Sequence, residues 1–436
     1  MIPKIELKSK LEIKEFQEKK LQELMVYLAQ NSTYYKNLFL QHEIDFTSIK
    51  TLKDLTKLPV TTKDNLQKNN TDFICVDTSK IIDYVTTSGT TGKPVFFGLT
   101  DKDLDRLAYN EAISFACSKV TKNDTIQLMT TMDRRFMAGL AYFLGARKLG
   151  ASIIRVGAGI PELQWDSILK FKPTYLIAVP SFLLKLIEYA EKNKIDLNKC
   201  SVKGVVCIGE PLKNQDFSHN VLSKKIKEKW DIELYSTYAS TEMSTAFAEC
   251  EFQQGGHHHP ELIIAEILDE NDNPVKEGIE GELTVTTLGV EAMPLLRFKT
   301  GDIVKGHFDP CKCGRNTLRL GPVVGRKKQM IKYKGTTIYP PAMHNLLNDF
   351  SEIENYIIEI DNNEIGTDKI TIKIGAKETS IDLLEKLKDH FRAKLRVSPQ
   401  IEFVPIKEIK ALIFPKMGRK PMLFIDKRDK LIESTL

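Results

Sequence analysis

The chain has 436 residues, 42% of them hydrophobic and 28% charged, enough apolar material for sizeable cores and roughly two to three domains. Its net charge of +5 is mild, and basic and acidic residues are interleaved rather than gathered into a stripe, which argues against a nucleic-acid partner. The seven cysteines, at 75, 117, 200, 207, 250, 311 and 313, are odd in number and lack the spacing of a disulfide scaffold, as expected of a reducing, cytoplasmic setting.

In chain order, residues 1–20 are rich in Lys and Glu and lack the apolar centre of a signal peptide. No later apolar run approaches the ~18 residues that a membrane span needs, so neither secretion nor insertion is expected. A β-branched run then leads into Thr86-Thr87-Ser88-Gly89-Thr90-Thr91-Gly92-Lys93-Pro94. Gly89 and Gly92 let backbone N–H groups approach an anion, Ser88, Thr90 and Thr91 add hydroxyl donors, and Lys93 adds a mobile positive charge. These are the parts of a phosphate-holding loop, and they point to ATP. The loop is not a Walker motif, because Thr87 stands where that motif needs glycine and Pro94 where it needs Ser or Thr. A polar turn between strands is the competing reading of the loop taken alone.

Further along, residues 151–156, 174–179 and 204–208 are short β-branched runs alternating with helix-like stretches such as 182–193, the pattern of a parallel, layered α/β sheet. After residue 260 the texture changes to strands at 262–268, 281–288 and 303–308, separated by the turn residues 269–274, which suggests a β subdomain at about 250–322. From residue 327 the chain has strands at 355–360, 369–374 and 400–404 and a helix at 381–395, apolar at 381, 384, 387, 391 and 395. The expected organisation is therefore an α/β domain over 1–326 and a small α+β domain over 327–436. No internal repeat is present.

Taken together, the motifs resemble the adenylate-forming superfamily of acyl-CoA synthetases. Besides the loop at 88–93, Tyr238-Ala239-Ser240-Thr241-Glu242 is similar to its Tyr-Gly-x-Thr-Glu motif and Arg297-Phe298-Lys299-Thr300-Gly301-Asp302 to its Thr-Gly-Asp motif. Gly325-Arg326-Lys327-Lys328 resembles its hinge motif, and Gly418-Arg419-Lys420-Pro421 its closing basic motif. Within the superfamily, Tyr34-Tyr35, Leu58-Pro59-Val60-Thr61-Thr62-Lys63 and residues 171–186 and 291–304 look most like phenylacetate-CoA ligase and its relatives. The likeness extends over nearly the whole chain.

The resemblance implies a two-step reaction. A carboxylate attacks the α-phosphorus of ATP, giving an acyl-adenylate and pyrophosphate, and a thiol then displaces AMP. It implies that Ser88, Gly89, Thr90, Thr91, Gly92 and Lys93 hold the departing phosphates, that Glu242 ligates Mg²⁺ and that Thr241 contacts the α-phosphate. It further implies that Gly209, Glu210 and Pro211 line the adenine, that Tyr238 and Ala239 flank the nucleotide, that Asp302 accepts bonds from the ribose hydroxyls, and that Arg326 joins the nucleotide set. Lys420 aligns with the lysine that bridges substrate carboxylate and α-phosphate, although a solvated basic tail fits its surroundings too, and Lys328 takes the hinge position of a mobile C-terminal domain. Ala239 departs from the family's usual glycine. Taken singly, Thr241-Glu242 also fits a helix cap and Gly301-Asp302 a turn.

Phe136 is in register with an aromatic of the acyl pocket, but Asp133, Arg134 and Arg135 replace apolar or small residues there. They are either outward-facing loop residues or the mark of a different acid or thiol. The expected partners are an aryl or related carboxylic acid and CoA, with a carrier-protein phosphopantetheine thiol as the alternative acceptor, a catalytically silent nucleotide-binding protein as the alternative class, and a homodimer as a further possibility. Cys250, Cys311 and Cys313 stand apart from the other cysteines, with His257-His258-His259 between them, and complete a Cys/His/Cys/Cys set for a structural Zn²⁺ if the fold gathers them. The resemblance selects His257. Free thiols beside a solvated histidine cluster are the alternative.

Overall fold

The structure, a computed structural model, describes residues 2–87, 95–333, 336–362, 368–395, 397–413 and 422–428. Two compact units divide the chain, residues 1–300 with 304–323 and residues 301–303 with 324–436. Among the described residues no helix is long and apolar enough to cross a membrane.

The first unit opens with α1 (Lys10–Asn31) and α2 (Thr33–Gln41). Ser9 starts α1 through a capping box in which its hydroxyl accepts from the Glu12 N–H while the Glu12 carboxylate accepts from the Ser9 N–H. The helix α3 (Lys63–Lys68) follows, then the antiparallel pair β1 (Asp83–Thr86) and β2 (Phe96–Leu99), and α4 (Asp101–Cys117). Next come β3 (Thr125–Leu128), α5 (Met137–Leu149), β4 (Ser152–Arg155), α6 (Pro161–Phe171), β5 (Tyr175–Ala178), α7 (Pro180–Lys192), β6 (Gly204–Ile208) and α8 (Val221–Lys229).

The alternation of β-branched runs with helix-like stretches resolves as a parallel sheet between helices. Strands β4, β3, β5, β6 and β7 (Glu233–Ser240) are parallel neighbours in that order. Their side chains divide between two faces. Leu176, Ala178, Val205, Cys207 and Leu234 pack into one core with Trp165 and Trp230, and Tyr175, Ile177, Val206, Ile208 and Tyr235 pack into the other with Phe115, Tyr142 and Ala146. With both faces covered, the central strands β5 and β6 are apolar or small and buried throughout, as in other buried parallel sheets.

The strands after residue 240 are hydrogen-bonded onward from the parallel sheet. β8 (Thr245–Ala248), β9 (Gly256–His257), β10 (Ile263–Leu268), β11 (Glu280–Thr287), β12 (Phe298–His307) and β13 (Arg319–Leu320) extend the parallel sheet from the β7 side in the order β8, β9, β13, β12, β11, β10. The direction reverses at β7–β8, where a hairpin replaces the crossover helix. β12 begins at Phe298, five residues earlier than expected, since Gly301, at φ +81°, lets the strand pass through a segment that reads as a turn.

In the second unit, residues 301–303 of β12 meet β14 (Gly325–Arg326), with Asp302 opposite Arg326. Gly325 is required by packing, because a Cβ there would sit 2.3 Å from the Tyr339 ring. β15 (Ile331–Tyr333), β16 (Thr336–Ile338) and α9 (Pro340–Asn348) lead to the antiparallel pair β17 (Ile353–Asn362) and β18 (Asp368–Ala376). α10 (Ile381–Leu395), β19 (Gln400–Phe403), α11 (Ile406–Ile413) and β20 (Phe424–Asp426) complete it, with β19 parallel to β18 and β20 parallel to β17. Leu383, Leu387 and Phe391 of α10 enter the core of this unit beside Ile358, Ile360, Ile370 and Ile372.

Candidate active site and metal centre

Residues 88–94, which hold the expected phosphate loop, lie outside the described residues, as does Lys420. The feet of the loop are described. The Thr87 N–H donates to the Val95 carbonyl at 2.9 Å, and the Val95 N–H donates to Thr87 Oγ1 at 3.1 Å. The Thr86 N–H donates to the Arg135 carbonyl at 3.0 Å, so one foot is tied to the segment that precedes Phe136. The loop therefore joins two antiparallel strands clipped together at its base, unlike the strand–loop–helix of a Walker motif.

Thr241 and Glu242 occupy the tight turn between β7 and β8. No helix follows them, which removes the capping reading. Met243 N–H donates to Ser240 Oγ at 3.3 Å and Ser244 N–H to the Thr241 carbonyl at 3.2 Å, with Ser244 at φ +50°. Side chains of α4 hold the far end of this turn. Arg106, 8% exposed, donates to the carbonyls of Ser244, Leu262 and Leu288 at 2.5, 2.6 and 2.7 Å. Asn110 Oδ1 accepts from the Thr245 hydroxyl at 2.5 Å and from the Ala246 N–H at 3.1 Å.

Burial pushes the neighbouring Glu111 carboxyl up to about 8, against the hydrogen bond it accepts from Asn110. In front of the turn, Lys63 Nζ stands 3.6 Å from the Glu242 carboxylate. None of Lys63, Arg106 or Asn110 was assigned a role from the sequence. Lys63 was at least visible, as the last residue of the Leu58-Lys63 stretch, whereas nothing in one dimension marks Arg106 and Asn110.

Gly209, at φ +78°, ends β6. The Glu210 carboxylate accepts from the N–H and hydroxyl of Ser181 at 2.8 and 2.9 Å, so it serves the start of α7, and the Pro211 carbonyl accepts from Asn220 at 2.8 Å. Tyr238 and Ala239 lie in β7 opposite Phe247 and Ala246. Phe136, half-buried, immediately precedes α5, and Arg134 and Arg135 before it are exposed in left-handed backbone at φ +57° each. The first turn of α5 approaches this loop so closely that a Cβ on Gly139 would sit 2.1 Å from the Thr131 carbonyl oxygen. In the second unit Asp302 Oδ1 is 3.3 Å from Arg326 Nε, and Lys328 lies in an exposed single turn, Lys327–Gln329.

The cysteines gather elsewhere in the first unit. Ligand atoms of Cys250, His257, Cys311 and Cys313 all lie within 4.8 Å of one another. Cys250 Sγ is 3.7 Å from Cys311 Sγ, and His257 Nε2 is 3.4 Å from Cys313 Sγ. A tetrahedral zinc with bonds of about 2.3 Å to sulfur sets its sulfurs roughly 3.7 Å apart, so this donor set fits zinc.

His257 Nδ1 meets Thr317 Oγ1 at 3.2 Å, which turns Nε2 toward the sulfurs. Of the other two histidines, His258 Nε2 is bonded to the Ile263 carbonyl at 2.7 Å and His259 Nδ1 to the Glu6 carboxylate at 2.5 Å. A hydrogen bond from Cys250 draws the Cys313 thiol well down, and His257 and Arg315 add to this against burial. Arg315 donates to Cys313 Sγ at 3.4 Å and to Glu6 at 2.6 Å. Burial pushes the fully enclosed Glu6 carboxyl up, but His259 and Arg315 overcome it and hold the group below the usual carboxylate range. The short helical turn Lys4–Leu7, which carries Glu6, is thereby bonded to the cysteine cluster.

The family model described as AMP-binding enzyme matches residues 28–292, and that described as AMP-binding enzyme C-terminal domain matches residues 335–428. The phenylacetate-coenzyme A ligase of Thermus thermophilus is 28% identical over 381 residues, covering 86% of this chain and 84% of that protein. The Escherichia coli protein of the same name is 28% identical over 386 residues, covering 87% and 86%. Among solved structures, 2-hydroxyisobutyryl-CoA ligase in complex with an acyl-AMP superposes with a TM-score of 0.84 at 22% identity, covering 99% of this chain and 93% of that one, a likeness of fold.

Proposed function

This chain belongs to the AMP-binding enzyme family and is an AMP-forming acid–CoA ligase, and we propose that its acid is an aryl or related carboxylic acid. The observation that carries the substrate class is the likeness to phenylacetate-coenzyme A ligases over more than four-fifths of both chains. The charges at 133–135 are exposed while Phe136 is half-buried, which supports Phe136 rather than those charges as the residue of that segment that meets the acid.

In this reading the acid's carboxylate oxygen bonds to the α-phosphorus of ATP as the bond to pyrophosphate breaks. The CoA thiolate then attacks the acyl carbon, AMP leaves, and the thioester remains. Managing negative charge dominates both steps. Ser88 to Lys93 cradle the departing pyrophosphate, Thr241 donates to the α-phosphate, and Asp302 accepts from the ribose diol. Glu242 is the carboxylate to hold Mg²⁺, which when bound offsets the phosphate charge. Lys420 bridges carboxylate and α-phosphate during adenylation, and Lys328 is the hinge about which the C-terminal domain, residues 327–436, turns before thioester formation. Gly209 to Pro211, Tyr238, Ala239 and Arg326 complete the nucleotide set. Cys250, His257, Cys311 and Cys313 would hold a structural zinc, since four protein ligands leave no position open for substrate. The setting is cytoplasmic, where ATP, CoA and reduced thiols coexist.

The test is pyrophosphate release with a panel of aryl, hydroxy and straight-chain acids, followed by consumption of free CoA. Release with aryl acids and stoichiometric aryl-CoA supports the assignment. Release without CoA consumption, rescued by a phosphopantetheinylated carrier protein, would replace CoA with the carrier as acceptor.

A further inference from the structure

The ion pair between Lys63 and Glu242 is 3.6 Å long and largely shielded, with side-chain exposures of 24% and 12%. Lys63 is the first residue of α3, directly after the cap Thr62. A cation there opposes the helix dipole, which favours anions at its N-terminus, so local helix energetics do not account for a lysine. Its backbone is nonetheless fixed with care. The neighbouring Thr61 N–H donates to the Arg297 carbonyl at 2.9 Å, the Thr61 carbonyl accepts from the Lys299 N–H at 2.9 Å, and the Thr61 hydroxyl donates to the Leu296 carbonyl at 2.7 Å. Tyr35 Oη lies 3.2 Å from that hydroxyl. This anchoring, from residues remote in sequence, delivers one ammonium group to the carboxylate on the 241–244 turn.

We propose that Lys63 is a phosphate-binding residue of the adenylation step, which neutralises Glu242 while the site is empty and passes its ammonium group to a pyrophosphate oxygen when the metal–nucleotide complex takes the Glu242 carboxylate. The inference rests on the reading of Glu242 as the Mg²⁺ ligand. The charges agree with the exchange: one ammonium suffices for one carboxylate before ATP arrives, and afterwards the metal satisfies the carboxylate while the triphosphate brings about four negative charges that need partners. When the bond from α-phosphorus to pyrophosphate breaks, the leaving oxygen gains charge, and an ammonium group fixed by Thr61 meets it without reorganisation.

The experiment compares wild type, Lys63→Met, Lys63→Arg, Glu242→Gln and Lys63→Met/Glu242→Gln. Binding of pyrophosphate, ATP and AMP is measured by calorimetry with Mg²⁺ present, and thermal unfolding serves as the control for folding. A lost charge-assisted hydrogen bond should weaken pyrophosphate and ATP binding by about 10-fold or more in Lys63→Met, leave AMP binding unchanged, and be largely recovered in Lys63→Arg. The double variant should bind pyrophosphate more weakly than Glu242→Gln alone. Equal loss for all three ligands, or a double variant no weaker than Glu242→Gln, would make Lys63 only a prop for Glu242 and overturn the proposal. Unaltered Mg²⁺ dependence in Glu242→Gln, with pyrophosphate binding still lost in Lys63→Met, would instead remove the metal role of Glu242 and keep Lys63 on the phosphate.

Discussion

Arg106 donates to the Ser244 carbonyl at 2.5 Å, so a buried guanidinium on α4 sets the far end of the turn that carries Thr241 and Glu242. Its other two bonds, to Leu262 and Leu288, tie the same guanidinium to the segments flanking β10 and β11. Replacing Arg106 by Met removes the donor from three carbonyls, of which Leu262 keeps the bond from the Leu288 N–H. At ~1–3 kcal/mol for each of the two groups left unsatisfied, with some rehydration, we expect a loss of about 2 kcal/mol or more in chemical denaturation. The fraction that remains folded should adenylate more slowly than wild type, and an unchanged rate would show that the turn keeps its shape without the clamp.

Glu111 supplies a dependence on pH with a defined sign. Its folded-state value of about 8 lies above the ordinary carboxyl value of 4.5, so the folded protein holds that proton more tightly than the unfolded chain does. The contribution to stability is complete below pH 4.5 and is lost as pH rises through about 8, amounting to at most ~5 kcal/mol. Glu111→Gln retains an acceptor for Asn110 without an ionisable proton. Thermal unfolding at pH 5, 6.5 and 8 should fall more steeply in wild type than in the variant, and parallel curves would refute the assignment.

The cysteine cluster is tested by elemental analysis after removal of any tag and adventitious metal. About one zinc per chain is expected, lost in Cys311→Ser/Cys313→Ser together with several degrees of melting temperature. Adenylation by the remaining folded fraction should persist. Full zinc in the double variant would leave these cysteines as ordinary thiols.

Lys420→Ala should suppress acyl-adenylate formation by on the order of 10²-fold or more while thiolysis of a supplied acyl-adenylate continues. Wild-type adenylation in that variant would return Lys420 to the solvated tail.

Glu242→Gln and Asp302→Asn should impair turnover by different routes. The first should alter the Mg²⁺ dependence and the second the affinity for ATP, because the proposed function gives one carboxylate a metal and the other a ribose diol. Calorimetry and a Mg²⁺ titration read the two effects separately.

What could be read in one dimension follows the range of each interaction. The strands at 175–178 and 204–208 announce themselves because both faces are covered and every residue is apolar or small, a local signal. Cys250, Cys311 and Cys313 were legible because thiols are scarce and distinctive. The continuity of β8 to β13 with the parallel sheet was not, since the pairing of His257 with both Ala248 and Arg319 is settled by contacts far along the chain. The same holds for Lys63 and Arg106, whose residue types are common and whose partners are distant. Gly301-Asp302 reads as a turn and proves to be strand, with only its positive φ surviving from the turn signal.

The bond from Arg315 to Glu6 spans 309 residues. At ~5–20 residues per second, the amino terminus emerges from the ribosome roughly 15–60 s before its partner does. Until His259 and then Arg315 follow, the Glu6 carboxylate lacks both of its charged partners, and the helical turn Lys4–Leu7 lacks the bonds that hold it. Synthesis of the last part of the cysteine cluster is thus also the event that completes the fastening of the beginning of the chain. A nascent chain stalled before residue 311 should leave its first residues open to a protease that the finished protein resists.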